Sequence, residues 1–126
     1  MLFDDTYKEI KKATSGIYRE KGSKFISFAF PIRTENEARL KLNEVKQNEP
    51  SANHYCYAYI LNPDKSNYRI SDDGEPSSTA GKQIFKQIQK FQLTNILIVV
   101  IRYFGGTKLG IPGLIRSYST ATLLAL

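Results

Sequence analysis

The segment "NILIVVIRY", Asn95 to Tyr103, limits the fold more than any other part of the chain. Its residues are apolar at odd and even positions alike as far as Ile101. A strand with two apolar faces belongs in the middle of a sheet, because neither face tolerates water. It also ends abruptly, in Arg102, the glycine-rich run "FGGTKLGIPG" and the helical pattern "GLIRSYSTATLLAL". A strand that feeds a basic glycine loop and then a helix often holds an anion. The first N–H groups of a helix are unpaired and carry partial positive charge, and glycine lets a ligand approach the backbone.

The remaining segments supply neighbours for that strand. "SGIYREKGSKFISFAFPI" reads as a hairpin, Ser15–Arg19 and Lys24–Pro31, turning at Lys21-Gly22-Ser23. Thr34 with Glu37 three residues on forms a capping box, so a helix is expected from Glu35 to Asn48, stopped before Pro50, with Ala38, Leu42 and Val45 on one stripe. "ANHYCYAYIL" is a strand, "NPDKSN" a turn and "YRIS" a short strand paired back on it. Ile84, Phe85, Ile88 and Phe91 mark a second helix opening between Ser77 and Ala80, with Ser77, Ser78 and Thr79 as candidate caps. The order β-β-α-β-β-α-β-α predicts an α+β domain, a two-layer mixed sheet with helices on one face.

Length and composition fit one soluble domain. The chain has 126 residues, 41% hydrophobic and 24% charged. No apolar run reaches the roughly 18 residues of a membrane span, and "MLFDDTYKEI" lacks a signal-peptide pattern. Cys56 is the only cysteine, which excludes an internal disulfide and fits a reducing cytoplasm. The net charge of +6 is lopsided: residues 1–75 are neutral overall, whereas residues 76–126 hold six cations and no acid. That asymmetry favours an anionic partner, either nucleic acid, a phosphate ligand or an acidic protein surface; a basic face that only aids solubility is the alternative.

Two loop-to-helix junctions could carry chemistry: "SDDGEPSSTAGK" and "RYFGGTKLGIPG". Neither fits a nucleotide loop. The P-loop spacing begun at Gly105 reaches Gly110 but places Ile111 where lysine is required, and Thr107 breaks G-x-G-x-x-G. Gly110 to Gly113 spells the short G-x-x-G of some RNA-binding loops, a weak match. Asp72, Asp73 and Glu75 could ligate a divalent ion, or could close a turn and face the basic loop; the turn is favoured, and no metal or cofactor is expected. His54 and Cys56 share a strand face and read as packed core rather than as a hydrolase pair with Ser77 or Ser78. Tyr55, Tyr57 and Tyr59 share the opposite face, where packing is favoured over base stacking.

Taken together, "SDDGEPSSTAGKQI", "VVIRYFGGTKLGIPGLIRSYS" and the upstream "HYCYAYI" resemble the signature of the IMPACT/YigZ family, over essentially the whole chain. The resemblance implies a fold like domain 2 of ribosomal protein S5. It also implies that bacterial and archaeal relatives carry a second, ferredoxin-like C-terminal domain, so residues 1–126 are expected to be the N-terminal domain of a longer protein. Eukaryotic relatives restrain a translation-control kinase and have an additional N-terminal domain; nothing here corresponds to it, and that role is not carried over. Two positions depart from the family pattern: Ser78 stands where glycine is common, and Ile111-Pro112 replaces Thr-Gly.

Three functions follow as expectations. The first is a non-catalytic module of translation or RNA metabolism. It would contact RNA or the ribosome through Lys82, Arg102, Tyr103, Gly105, Gly106, Lys108 and Arg116, with Tyr103 or Phe104 as a stacking surface. The second is an enzyme acting on a phosphorylated or otherwise anionic small molecule, with Lys108 and Arg116 on the anion and Asp72, Asp73 or Glu75 as base or metal ligand, beside His54. The third is a protein–protein module that buries the tyrosine face. Convergence of His54, the acidic loop and the glycine loop on one pocket would speak for the enzyme, and an open basic face for binding.

Overall fold

The computed structural model describes residues 8–126 apart from 63 and 65. Most of the N-terminal "MLFDDTYKEI", which lacks a signal-peptide pattern, lies outside the described residues, as does part of the 62–67 turn. Eight elements follow one another: β1 (Thr14–Glu20), β2 (Ser23–Pro31), α1 (Glu35–Asn48), β3 (His54–Leu61), β4 (Asn67–Ser71), α2 (Gly81–Lys90), β5 (Ile96–Tyr103) and α3 (Gly110–Ala125). The strands form one sheet in the order β1-β2-β5-β3-β4, so the doubly apolar segment is indeed central.

Two expectations about the sheet need correction. Every strand pairing is antiparallel, so the sheet is not mixed. Nor do the helices share one face. Alternate residues of β5 divide between two separate cores. Ile96, Ile98 and Val100 join Cys56, Ala58, Ile60 and the α2 and α3 residues Ile84, Ile88, Leu114 and Tyr118. Leu97, Val99 and Ile101 join Tyr59, Ile26 and the α1 residues Ala38 and Val45. The reason is in the pattern itself: a sheet with two apolar faces needs cover on both. The tyrosine stripe on β3 is part of the face under α1, with Tyr55 and Tyr57 packed against that core. It is packing: α1 covers part of the face a protein partner was expected to bury, and leaves Tyr55 and Tyr57 half-buried.

The capping box at α1 forms as read: Thr34 Oγ1 accepts from Glu37 N–H at 3.1 Å, and Glu37 Oε1 accepts from Thr34 N–H at 3.2 Å. Helix α3 begins three residues earlier than its apolar pattern, at Gly110, because Pro112 is tolerated in a first turn, where an N–H has no helical partner to lose. Its inner stripe uses small residues, Ala121 and Ala125, beyond Tyr118. They let α3 lie close to β1: a Cβ on Gly16 would stand 2.7 Å from Leu124 Cβ.

Candidate functional site

The ends of β3 and β5 place His54 and Arg102 opposite each other as paired residues on the α2/α3 side of the sheet. Arg102 is 5% exposed. A buried guanidinium requires an anion, and the loop before α2 supplies it. Arg102 Nη1 lies 3.0 and 2.9 Å from the two oxygens of Glu75, and Nη2 donates to Ser23 Oγ at 3.4 Å. Tyr118, reaching in from α3, donates its hydroxyl to Glu75 Oε2 at 2.5 Å. Burial pushes the Tyr118 phenol and the adjacent Cys56 thiol far up from their ordinary values, so both stay protonated. Cys56 Sγ sits 3.4 Å from the Tyr118 oxygen and 3.2 Å from the carbonyl of Asp72. As a protonated, fully buried thiol it is not a nucleophile.

His54 is the polar group of this cluster that faces outward. Its Nδ1 lies 2.8 Å from the carbonyl oxygen of Asp73. A carbonyl only accepts, so Nδ1 carries a hydrogen, which leaves Nε2 as the ring nitrogen turned to the cleft. Nε2 stands 3.7 Å from Glu75 Oε1.

The other acids of "DDGE" are structural. Asp72 Oδ1 accepts from the N–H groups of Ala80 (3.2 Å) and Gly81 (2.8 Å), and Oδ2 accepts from Ser78 (2.9 Å). It therefore caps α2 from outside the helix, in place of the Ser77, Ser78 and Thr79 caps expected from sequence. Asp73 Oδ2 accepts from Tyr55 N–H at 2.7 Å, which ties the loop to β3. Ser78 has φ of 66°, in the left-handed region. That conformation explains why glycine suits the position better than serine.

The glycine loop is fixed at its start and open beyond. Phe104 N–H donates to Asn53 Oδ1 at 2.8 Å, and Gly105 N–H to Ser23 Oγ at 3.2 Å. A Cβ on Gly105 would lie 2.0 Å from the carbonyl carbon of Gly22, so the β1–β2 turn and this loop touch backbone to backbone. Gly106, with φ of 89°, has nothing within 4 Å of where a Cβ would be. Lys108 is exposed and has no ion pair among the described residues.

Between these walls lies a cleft of about 430 Å³. His54, Glu75 and Arg102 form its polar side, Lys108 its charged rim, and Pro76, Phe104, Leu109, Ile111 and Leu114 its apolar side. His54, the acidic loop through Glu75, and the glycine loop thus converge. The remaining candidates lie elsewhere. Tyr103 points to the α1 face, where its hydroxyl bonds Glu49 and its phenol is pushed up to about 12 by that contact. Arg116 pairs with Glu20 at 2.7 Å. Lys82 is exposed on α2 and is not among the residues lining the cleft. The seven residues expected to form one basic surface therefore do not share one. Sequence reasoning missed Ser23, Asn53 and the Tyr118 hydroxyl, whose partners lie far away along the chain and leave no local pattern.

A sheet with these two motif loops meeting at the end of its central strand defines a class, and comparison with known proteins agrees. The description "Impact N-terminal domain" matches residues 21–126. The chain belongs to the IMPACT family. It is 37% identical over 113 residues to "IMPACT family member YvyE" of Bacillus subtilis, covering 90% of this chain and 52% of that protein. It also matches the solved structure titled "Crystal structure of an hypothetical protein", with a TM-score of 0.87 and 31% identity over 90% of this chain and 56% of that one. A third match, with TM-score 0.56 and 26% identity, covers 91% of this chain and 46% of the structure titled "Structure of two-domain translational regulator Yih1 reveals a possible mechanism of action". The chain spans about half the length of the bacterial relatives it matches. Among the described residues no helix is long and apolar enough to cross a membrane.

Proposed function

We propose that this domain is a non-catalytic binding module of translation control that engages RNA, free or within the ribosome, across the glycine-rich rim of the cleft. The observation that carries this reading is Lys108: an exposed cation without an ion pair among the described residues, beside the open backbone at Gly106, in the stretch 76–126 that contains no acid. A relative described as a translational regulator supports the biological setting. Phosphates neutralised at such a rim release counterions, so affinity falls as salt rises. The test is RNA binding across a salt series, for the parent chain and for Lys108→Ala. Binding that weakens with salt, and a shallower slope in the variant, support the reading; a flat response or no binding at low salt defeats it.

The convergence on one cleft gives the enzyme reading a specific basis, since His54 Nε2 opens beside Glu75. The acids argue against it. The carboxylates of Asp72 and Asp73 are occupied by backbone N–H groups, and Glu75 by Arg102 and Tyr118. None remains free to act as base or to bind a metal ion in the way that reading requires. A rise in melting temperature with a nucleotide or a divalent ion, in the absence of RNA binding, would reverse this preference.

A further inference from the structure

The cleft contains a feature that rim binding does not use. Phe104 is 49% exposed, although a large aromatic at the end of a central strand would ordinarily be covered. Its backbone is anchored and one cation lies against its ring. Its backbone N–H is bonded to Asn53, and the Arg102 guanidinium lies 5.4 Å from its ring centroid. That guanidinium is itself held between Phe25 and Phe104 and locked by Glu75. A half-exposed aromatic ring backed by a locked guanidinium suits stacking by a flat, unpaired ring.

The polar side of the cleft adds a requirement. With the His54 ring neutral, its Nε2 and the remaining lone pair of Glu75 Oε1, which takes one bond from Arg102, are two acceptors 3.7 Å apart. Side by side they call for a donor from outside. An exocyclic amino group offers two hydrogens to such a pair, as adenine and cytosine do; uracil has no amino group.

We propose that the cleft receives one unstacked nucleotide of single-stranded RNA, its base on Phe104, its amino edge at His54 and Glu75, and an adjoining phosphate at Lys108. This rests on the RNA reading above and narrows it. A duplex keeps its bases inside and offers only phosphates and hydroxyls, so it can meet the rim but not fill the cleft.

Fluorescence anisotropy with labelled twelve-nucleotide oligomers of A, C and U, and with a duplex of the same length, separates the two levels. The A and C oligomers should bind about tenfold or more tightly than the U oligomer and the duplex. Phe104→Ala should lose about tenfold on the A oligomer, the scale of one lost stacking contact. Phe104→Trp should retain binding, and His54→Gln should reduce the preference for A over U. Lys108→Ala should weaken all oligomers alike. The proposal is overturned if Phe104→Ala binds the A oligomer as the parent does, if duplex or U binds equally well, or if free AMP binds as tightly as the oligomer. If those results appear while Lys108→Ala still weakens RNA binding, only the nucleotide pocket falls. If no RNA binds at low salt, both readings fall.

Discussion

The two loop-to-helix junctions look alike in sequence, each a run of small residues with a lysine where a helix starts, yet they do opposite work. In the acidic junction every carboxylate is engaged by a partner inside the protein: Asp72 caps α2, Asp73 ties the loop to β3, and Glu75 neutralises Arg102. In the glycine junction the first two N–H groups are held, and then the chain opens, with space at Gly106, no side-chain cap on α3 and a Lys108 that pairs with no acid among the described residues. The comparison teaches that acids close to a basic loop need not mark chemistry. Here they build the wall against which the basic loop stands.

The sharpest way to break this comparison is Glu75→Ala. It leaves Arg102 buried without its partner and should destabilise the fold by about 3–5 kcal/mol in denaturant unfolding. Replacing both residues, Glu75→Leu with Arg102→Met, should recover most of that loss, since a buried ion pair contributes little net stability over well-packed apolar groups. A small effect of the single change would mean that the acidic junction is not structural. Asp72→Ala should cost about 2 kcal/mol through the lost cap on α2. Ser78→Gly relieves the left-handed backbone and should raise stability by up to about 1 kcal/mol; a loss would show that the serine contributes something beyond its backbone.

The smallest effect concerns Arg116. Its hydrogen bond to Glu20, with that of Tyr18, holds the Glu20 carboxyl below the usual glutamate range. A depressed folded value means that the contribution to stability is present above the unfolded value and is lost as pH falls through the folded one. Arg116→Ala should raise the Glu20 titration midpoint followed by NMR. It should leave RNA affinity close to that of the parent chain, because Arg116 is not among the residues that line the cleft.

Local signals were legible and long-range ones were not. The capping box at Thr34, the hairpin turn at Lys21-Gly22 and the central position of β5 follow from spacing and composition, and the structure has each of them. The family resemblance was equally plain in two long motifs. The side of the sheet that α1 would take was not legible, because an amphipathic helix can cover either apolar face of a doubly apolar sheet. The division of the cations was hidden for a similar reason. Arg102, Lys108 and Arg116 are alike in sequence, and only tertiary pairing separates the buried one at Glu75, the free one on the rim and the one held by Glu20. Helix α3 misled in a different way. Its apolar pattern begins after Pro112, whereas its backbone begins at Gly110.

The division of labour between the junctions is tested most directly at Lys108. Melting temperature and RNA affinity should be measured together, from low to moderate salt, for the parent chain and for Lys108→Ala. The account predicts an unchanged fold, within about 0.5 kcal/mol, and a slope of log affinity against log salt that is shallower by about one unit or slightly less. An identical slope in the two proteins, or no dependence on salt in either, would contradict it.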